Sequence, residues 1–192
     1  MTEIREKYKN KYRIRSSRLK GYDYSQNGIY FITICTKNRE EYFGKIENGI
    51  IILSDIGKIA EKFWQEIPSY FSFVILDEYI VMPNHVHGIV EINGNNSVET
   101  QFIASKNQPG GITGNNNPSL NPFSLSTIIK WYKGRCAFEI RKQLNSVTFA
   151  WQSRFYDHII RNEISLNKIR EYIRINPEMW EHDRNNKDDV WI

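Results

Sequence analysis

Short runs of β-branched and aromatic residues alternate along this chain with longer amphipathic segments, and this order restricts the possible folds more than any other feature. The run from Ile29 to Thr36 (IYFITICT) has the composition of a buried strand. Later runs are separated by Asn-Gly and Pro, which favour turns. These runs are Tyr42–Ile46 and Ile50–Leu53, joined as a hairpin at Glu47-Asn48-Gly49, then Ser72–Val81, His85–Ile92 and Trp151–Ile160.

Three amphipathic segments between and after these runs predict helices. The first begins at an N-cap at Ser54 or Asp55 and continues to about Glu66; the second covers 124–144. The third covers 165–176 and is stopped by Pro177. The order of elements predicts an α+β protein, in which helices pack on one face of an antiparallel sheet and leave the other face open.

The chain of 192 residues fits one domain, which we place at 29–180. A basic arm at 1–28 precedes it, with eight Lys or Arg interleaved with four tyrosines. It can contact phosphates and bases, or it can be a solvated terminus. Residues 93–122 are rich in Asn, Gly and Pro and predict a mobile loop, and 181–192 form a C-terminal tail.

Cysteine content and hydropathy favour a cytoplasmic protein. Cys35 and Cys136 lie far apart and form no CxxC motif, so neither a disulfide framework nor a cysteine-rich zinc site is expected. No run approaches the ~20 apolar residues that a membrane span requires. The formal net charge of +4 is compatible with a polyanionic partner.

The triplet His85-Val86-His87 lies in a predicted strand. Side chains at i and i+2 project from the same face of a strand, so the two imidazoles point the same way. They are close enough to hold one cation. Two histidines on a solvated strand face are the alternative, which the triplet alone does not exclude.

Tyr172 and Asn176 lie one turn apart on the third predicted helix. Ile169, Tyr172, Ile173 and Asn176 share one face by their i, i+3, i+4, i+7 spacing. A hydroxyl and an amide on an apolar face each need a partner when buried. The alternative is that Tyr172 is a core aromatic residue and Asn176 ends the helix.

Together these residues predict a metal-assisted reaction at phosphorus. Two imidazoles and an amide oxygen suit Mg²⁺ or Mn²⁺, with positions left for water and phosphate oxygens. Tyr172 would then lie beside the polarised phosphate and attack it. A tyrosine ester conserves the phosphodiester bond energy, so a DNA hydroxyl can later reseal the strand.

Three segments of the chain resemble the single-tyrosine HUH transposases, and most closely the REP-associated tyrosine transposases. They are YFITICTKNR (30–39), VMPNHVHGIV (81–90) and WQSRFYDHIIRNEISLNKIREYIRINP (151–177). The resemblance implies a ferredoxin-like or RRM-like sheet that carries the histidines, and a helix that carries the nucleophile. It assigns His85, His87 and Asn176 as metal ligands and Tyr172 as the nucleophile. It also implies recognition of single-stranded, hairpin-forming DNA.

Other polar residues are candidates for DNA contacts. Arg154, Arg161, Arg170 and Arg174 can line a DNA channel or simply solvate the surface. His158 lies two residues from Tyr156 in an extended segment, where it can contact a phosphate, replace a metal ligand or bond at a sheet edge. Tyr156, next to this histidine, is the second candidate nucleophile.

Two other kinds of protein are compatible with parts of this pattern. One is a non-catalytic single-stranded nucleic-acid binder, including a transposase relative retained as a regulator. The other is a metal-dependent phosphodiesterase that uses water. Only transfer to tyrosine yields a covalent protein–DNA adduct that survives denaturation. A homodimer and a monomer are both compatible with the sequence.

Overall fold

The structure is a computed structural model that describes residues 7–8, 11–12, 19, 21–94, 121, 123–144, 148–183, 185 and 186. Three predicted segments therefore lie mostly outside the described residues: the basic arm, the loop at 93–122 and the C-terminal tail. Within the arm, strands β1 (Lys7–Tyr8) and β2 (Lys11–Tyr12) pair antiparallel.

Four strands form the central antiparallel sheet: β3 (Gly28–Cys35), β6 (Val74–Met82), β7 (His85–Ile92) and β8 (Tyr156–Ile160). Their order across the sheet is β6-β7-β3-β8. With a helix after β3 and another after β7, this order is that of a ferredoxin-like sheet. The predicted fold class is confirmed, and each predicted strand is found within a few residues of its expected bounds except the last. Only the second half of the segment predicted at 151–160 forms a strand.

A separate hairpin of β4 (Gly44–Glu47) and β5 (Ile50–Leu53) lies beside the sheet, as predicted. Its turn residues Asn48 and Gly49 both adopt positive φ angles, 52° and 73°. Asn-Gly suits this left-handed turn because neither residue is strongly disfavoured there.

The main core lies between one face of the sheet and helices α1 (Asp55–Gln65) and α3 (Leu125–Leu144). Ser54 caps α1, as predicted: its Oγ accepts a hydrogen bond from the amide of Gly57 at 3.1 Å. The Tyr132 hydroxyl of α3 donates to the Ala60 carbonyl of α1 at 3.1 Å. A short helix, α2 (Ile67–Tyr70), continues the chain after α1.

Helix α4 (Glu163–Ile175) packs on the opposite face of the sheet, which corrects the expectation that all helices share one face. Its N-cap is Asn162, whose Oδ1 accepts from the Ser165 amide at 2.8 Å; the helix begins two residues earlier than predicted. The apolar contact beneath α4 is a small cluster separate from the main core. Its buried members are Phe31, Ile89, Ile160, Leu166 and Ile173.

Gly88 follows His87 in β7, and its position faces Trp64 on the α1 side of the sheet. A Cβ at Gly88 would lie 2.2 Å from Cζ2 of Trp64, which is fully buried on the α1 side. Gly88→Ala therefore forces Trp64 or the strand to move, and we expect a loss of about 1–3 kcal/mol in the free energy of unfolding. Urea denaturation measures it.

Gly134→Ala is the matched control, because nothing lies within 4 Å of a Cβ at this position in α3. In a helix interior this change stabilises by about 0.5–1 kcal/mol. Equal stabilities of the two variants would contradict the proposed packing of Trp64 against β7.

Candidate metal and tyrosine site

His85 and His87 project from the face of β7 that α4 covers. Their ring centroids are 4.3 Å apart, so the prediction that they share a face is confirmed. The alternative of a solvated strand face is wrong, because both residues are 0% exposed. Tyr172 packs against His87, and Trp180 stacks over His85 with ring centroids 6.1 Å apart.

Neighbouring side chains orient both imidazoles through Nδ1. The hydroxyl of Thr33, on the paired strand β3, lies 2.9 Å from His87 Nδ1. Asn84 Nδ2 donates to a backbone carbonyl of Asn185 at 2.9 Å, so its Oδ1 faces His85 Nδ1 at 2.8 Å and accepts from it. Such partners fix the ring and leave Nε2 as the nitrogen that can bind a cation.

Tyr172 reaches the histidines from α4. Its hydroxyl oxygen lies 3.2 Å from His87 Nε2 and donates to Asp183 Oδ2 at 3.3 Å. The ring packs edge-on against Phe31 with centroids 6.1 Å apart. The structure thus brings together the helix tyrosine and the strand histidines, which the sequence placed on separate elements.

Asn176 lies in the same site and is 1% exposed. Its Nδ2 donates to Asp183 Oδ2 at 2.8 Å. Its Oδ1 is buried and has no hydrogen-bond partner among the described residues. A buried amide oxygen normally has a partner, so this atom is suited to a cation or a water.

Asp183 is the site residue that the sequence analysis missed, since it lies in the predicted tail. It is 6% exposed, and one of its carboxylate oxygens lies within 4.8 Å of ligand nitrogens of both His85 and His87. These three residues can therefore hold a metal ion. The charged segment EHDRNNKDD gave no periodic signal to single out one of its three aspartates.

The segment after α4 holds Asp183 in place. Trp180–His182 form a single 3₁₀ turn, and Asp183 Oδ1 accepts from the amide of Asn185 at 2.6 Å. The carbonyl of Asn185 in turn accepts from Asn84, which also orients His85. The carboxylate and the histidine are therefore positioned by one connected network.

Two of the predicted DNA contacts, Arg170 and Arg174, form ion pairs across to β6. Arg170 donates from Nε and Nη2 to Asp77, with the shortest N···O distance 2.6 Å. Arg174 Nη2 lies 2.5 Å from Glu78 Oε1. Both guanidinium groups thus link the helix that carries Tyr172 to the sheet.

A β-bulge in β6 makes this double link possible. The register with β7 shifts between Leu76 and Tyr79, and Asp77 and Glu78 are the two residues within this bulge. Consecutive residues of a regular strand point to opposite faces, whereas a bulge re-aims one of them. Both carboxylates therefore reach α4.

The remaining predicted DNA contacts lie at the opposite edge of the sheet, at β8. Arg154 and Arg161 flank this edge strand, and His158 lies within it, paired in register with Phe31. All three are exposed. His158 does not belong to the metal-binding group found among the described residues.

Among solved structures, the REP-associated tyrosine transposase bound to a REP hairpin has a similar fold. The two align with a TM-score of 0.54 over 86% of this chain and 74% of that chain, at 19% identity. The chain therefore shares the fold of this transposase, which agrees with the sheet and helices that the three motif segments implied.

A Haemophilus influenzae protein described as uncharacterized is 39% identical over 175 residues, which span 88% of this chain and 91% of that protein. The chain belongs to the same protein family as this relative. No family model matches the chain. Within the described part of the chain, no helix has the length and apolar character needed to span a bilayer.

The Asp77–Arg170 pair predicts a pH-dependent contribution to stability. Hydrogen bonding to Arg170 lowers the pKa of the Asp77 carboxyl from its ordinary value. A carboxyl with a lowered folded-state pKa stabilises the fold above its unfolded pKa of about 3.9, and loses this contribution as the pH falls through the folded value. Asp77→Asn should therefore be less stable than wild type at neutral pH, and the difference should shrink steadily below about pH 4.

Urea denaturation at several pH values measures this difference. Glu171→Gln is the control, because Glu171 is exposed on the same helix and forms no ion pair among the described residues. A difference between wild type and Asp77→Asn that does not change with pH would contradict the assigned role of the pair.

Proposed function

We propose that this protein is a metal-dependent transposase that cleaves and rejoins single-stranded or hairpin DNA through Tyr172. The observation that carries the proposal is the placement of the Tyr172 hydroxyl, 3.2 Å from His87 Nε2 and 3.3 Å from Asp183 Oδ2. A nucleophile must lie within reach of the groups that hold the reacting phosphate. Tyr156, the second candidate, lies on the edge strand β8.

The donor atoms of the site fit a divalent cation. His85 and His87 supply imidazole nitrogens, and Asp183 supplies a carboxylate oxygen within the same 4.8 Å group. The Oδ1 atom of Asn176 is buried without a hydrogen-bond partner among the described residues, which fits its predicted role as a further ligand. Carboxylate and amide oxygens suit Mg²⁺ and Mn²⁺, and because imidazole nitrogens favour transition metals, the mixed set suits Mn²⁺ better than Mg²⁺. When bound, the cation polarises the scissile phosphate and orients it.

The chain's own residues then carry the transfer. Tyr172 Oη forms a bond to phosphorus as the bond from phosphorus to the 3′ oxygen breaks. The products are a 5′-phosphotyrosine and a free 3′ hydroxyl. The proton that the phenol loses ends on this 3′ oxygen. In the rejoining step a 3′ hydroxyl attacks the same phosphorus and releases Tyr172. The hydrogen bond from the phenol to Asp183 Oδ2 positions the nucleophile for both steps, and His87 Nε2 is left to the cation.

Two observations support DNA as the substrate. The transposase with the similar fold was solved bound to a REP hairpin. In this chain, Arg154, His158 and Arg161 lie together at the exposed β8 edge, next to the face that carries the site. A basic groove beside exposed aromatic rings is the usual means of holding a single strand.

Replacing Tyr172 with Phe tests the nucleophile. The change removes one oxygen and its two hydrogen bonds, so we expect a loss of about 1–3 kcal/mol in stability with the fold retained. The covalent adduct should disappear, because Phe has no atom to attack phosphorus. The measurement is a denaturing gel after incubation with Mn²⁺ and labelled hairpins that carry randomised single-stranded flanks.

Tyr156→Phe is the matched control and should form the adduct as wild type does. An adduct that persists in Tyr172→Phe and is lost in Tyr156→Phe would move the nucleophile to β8. Cleavage without any adduct in the wild-type protein would favour a phosphodiesterase that uses water. Binding of these hairpins with no cleavage would favour the regulator.

Asp183→Asn tests the metal site directly. The substitution keeps the side-chain shape but removes the anionic donor, so Mn²⁺ affinity should fall by at least the ~10–100-fold typical of losing an outer-sphere partner. Titration of the protein with Mn²⁺, followed by electron paramagnetic resonance, measures free and bound ion. This readout does not depend on cleavage.

Asp55→Asn is the control, because Asp55 is exposed at the start of α1 and its side chain contacts Lys58. Unchanged Mn²⁺ affinity in Asp183→Asn would restrict Asp183 to its hydrogen bonds with Tyr172 and Asn176. The His85, His87 and Asn176 set predicted from the sequence would then remain as the ligand set.

A further inference from the structure

A cleft of about 390 Å³ opens beside the histidines, at the end of β3. Thr33, Cys35 and Asn185 are among the residues that line it. In the sheet, Thr33 pairs with His87 and Cys35 pairs with His85. The cleft therefore begins one strand away from the proposed metal ligands.

Hydrogen bonds connect this cleft to the site. Thr33 lines the cleft and its hydroxyl lies 2.9 Å from His87 Nδ1. Asn84 Nδ2 donates to the carbonyls of Arg39 and Asn185, at 3.3 and 2.9 Å, and both of these residues line the cleft. The other amide atom of Asn84 accepts from His85. One network of hydrogen bonds thus connects the residues that line the cleft to both histidines.

The lining combines the groups that hold a nucleotide. Arg39 and Arg154 supply guanidinium groups, which suit a phosphate. Tyr156 is 43% exposed and offers an aromatic surface for a base, whereas Phe155 also lines the cleft but packs partly against the main core. The Gln152 amide can donate to and accept from a base edge. None of the described lining residues is acidic.

The backbone at the cleft is strained. Asn38 and Arg39 have positive φ angles of 55° and 54°, which two consecutive residues other than glycine seldom adopt. Such strain persists where surrounding contacts hold it, and it is concentrated at ligand sites. Here the bond from Asn84 to the Arg39 carbonyl is one of those contacts.

The cleft also continues along β8. Tyr156 lines a second hollow of about 420 Å³, which His158, Arg161 and the largely buried Asp157 line as well. One exposed ring therefore belongs to two adjoining hollows, and both carry basic side chains. This arrangement fits an extended strand that passes from one hollow to the next, rather than a compact small molecule.

We propose that the cleft binds the nucleotide of a single DNA strand next to the phosphate that is cut. Tyr156 stacks on the base, Gln152 contacts its edge, and Arg39 and Arg154 contact the flanking phosphates. The inference rests on the proposed transposase function for the identity of the ligand. It assigns to Tyr156 a role in binding rather than in attack.

The test uses the full chain in EDTA, so that neither metal nor cleavage contributes. The probe is an oligothymidylate with a single 2-aminopurine, whose emission falls when the base stacks on an aromatic ring. Tyr156→Ala should weaken binding by about 5–150-fold, the equivalent of about 1–3 kcal/mol for one stacked base. It should also restore the 2-aminopurine emission.

Two variants serve as controls. Tyr156→Phe keeps the ring and should bind as wild type does. Tyr70→Ala removes a tyrosine of similar exposure, 52%, from α2, far along the chain from the cleft, and should have no effect. Arg154→Gln should lower the slope of log affinity against log salt by about 0.7, the value for one phosphate contact of a single strand.

The proposal is overturned if wild type does not bind the oligonucleotide, or if Tyr156→Ala binds it with unchanged affinity and emission. Adduct formation by wild type on hairpin DNA alongside that result would leave the transposase function standing without this cleft. The reverse pattern, no adduct but the expected losses in Tyr156→Ala, would support the cleft as a single-strand site in a protein that does not cut.

Discussion

The docking of α4 on the second face of the sheet is the interaction on which the site depends. His85 and His87 are fully buried because Tyr172 of this helix and Trp180 just after it cover them. The apolar contact under α4 is a small cluster, much smaller than the core around α1 and α3. A helix with few apolar contacts depends more on directional polar contacts for its position. The ion pairs of Arg170 and Arg174 with the bulge of β6 supply these contacts.

The polar atoms under α4 are costly to bury unless they are paired, and most of them are paired with one another. Asn84 is the centre of this pairing, since it contacts His85, the carbonyl of Arg39 and the carbonyl of Asn185. Asp183 is the centre of a second set of hydrogen bonds, which it accepts from Tyr172, Asn176 and the amide of Asn185. Because Asn185 belongs to both sets, the orientation of the histidine and the position of the carboxylate cannot change independently.

Local periodicity explains what the sequence could predict. The two-residue period of β7 places His85 and His87 on one face, and the i, i+4 spacing of α4 places Tyr172 beside Asn176. Neither period tells which face of the sheet a helix covers, so the position of α4 was predicted wrongly. A two-residue period does not reveal a bulge either. The ion pairs of Asp77 and Glu78 with the arginines of α4 depend on the bulge, so the sequence did not predict them. Asp183 lies after a 3₁₀ turn, where no repeating pattern marks the inward side chain.

The division of the site between two elements has a chemical consequence. Under the proposed function, the histidines come from the rigid sheet, whereas Tyr172, Asn176 and Asp183 come from α4 and the turn that follows it. A shift of α4 would move the nucleophile, the amide and the carboxylate together, and their mutual hydrogen bonds would survive. Their distances to His85 and His87 would change, and so would both cation binding and the line of attack. An enzyme that must reseal the strand it cuts needs the same alignment twice, and a helix tied to the sheet by two ion pairs is suited to restoring it.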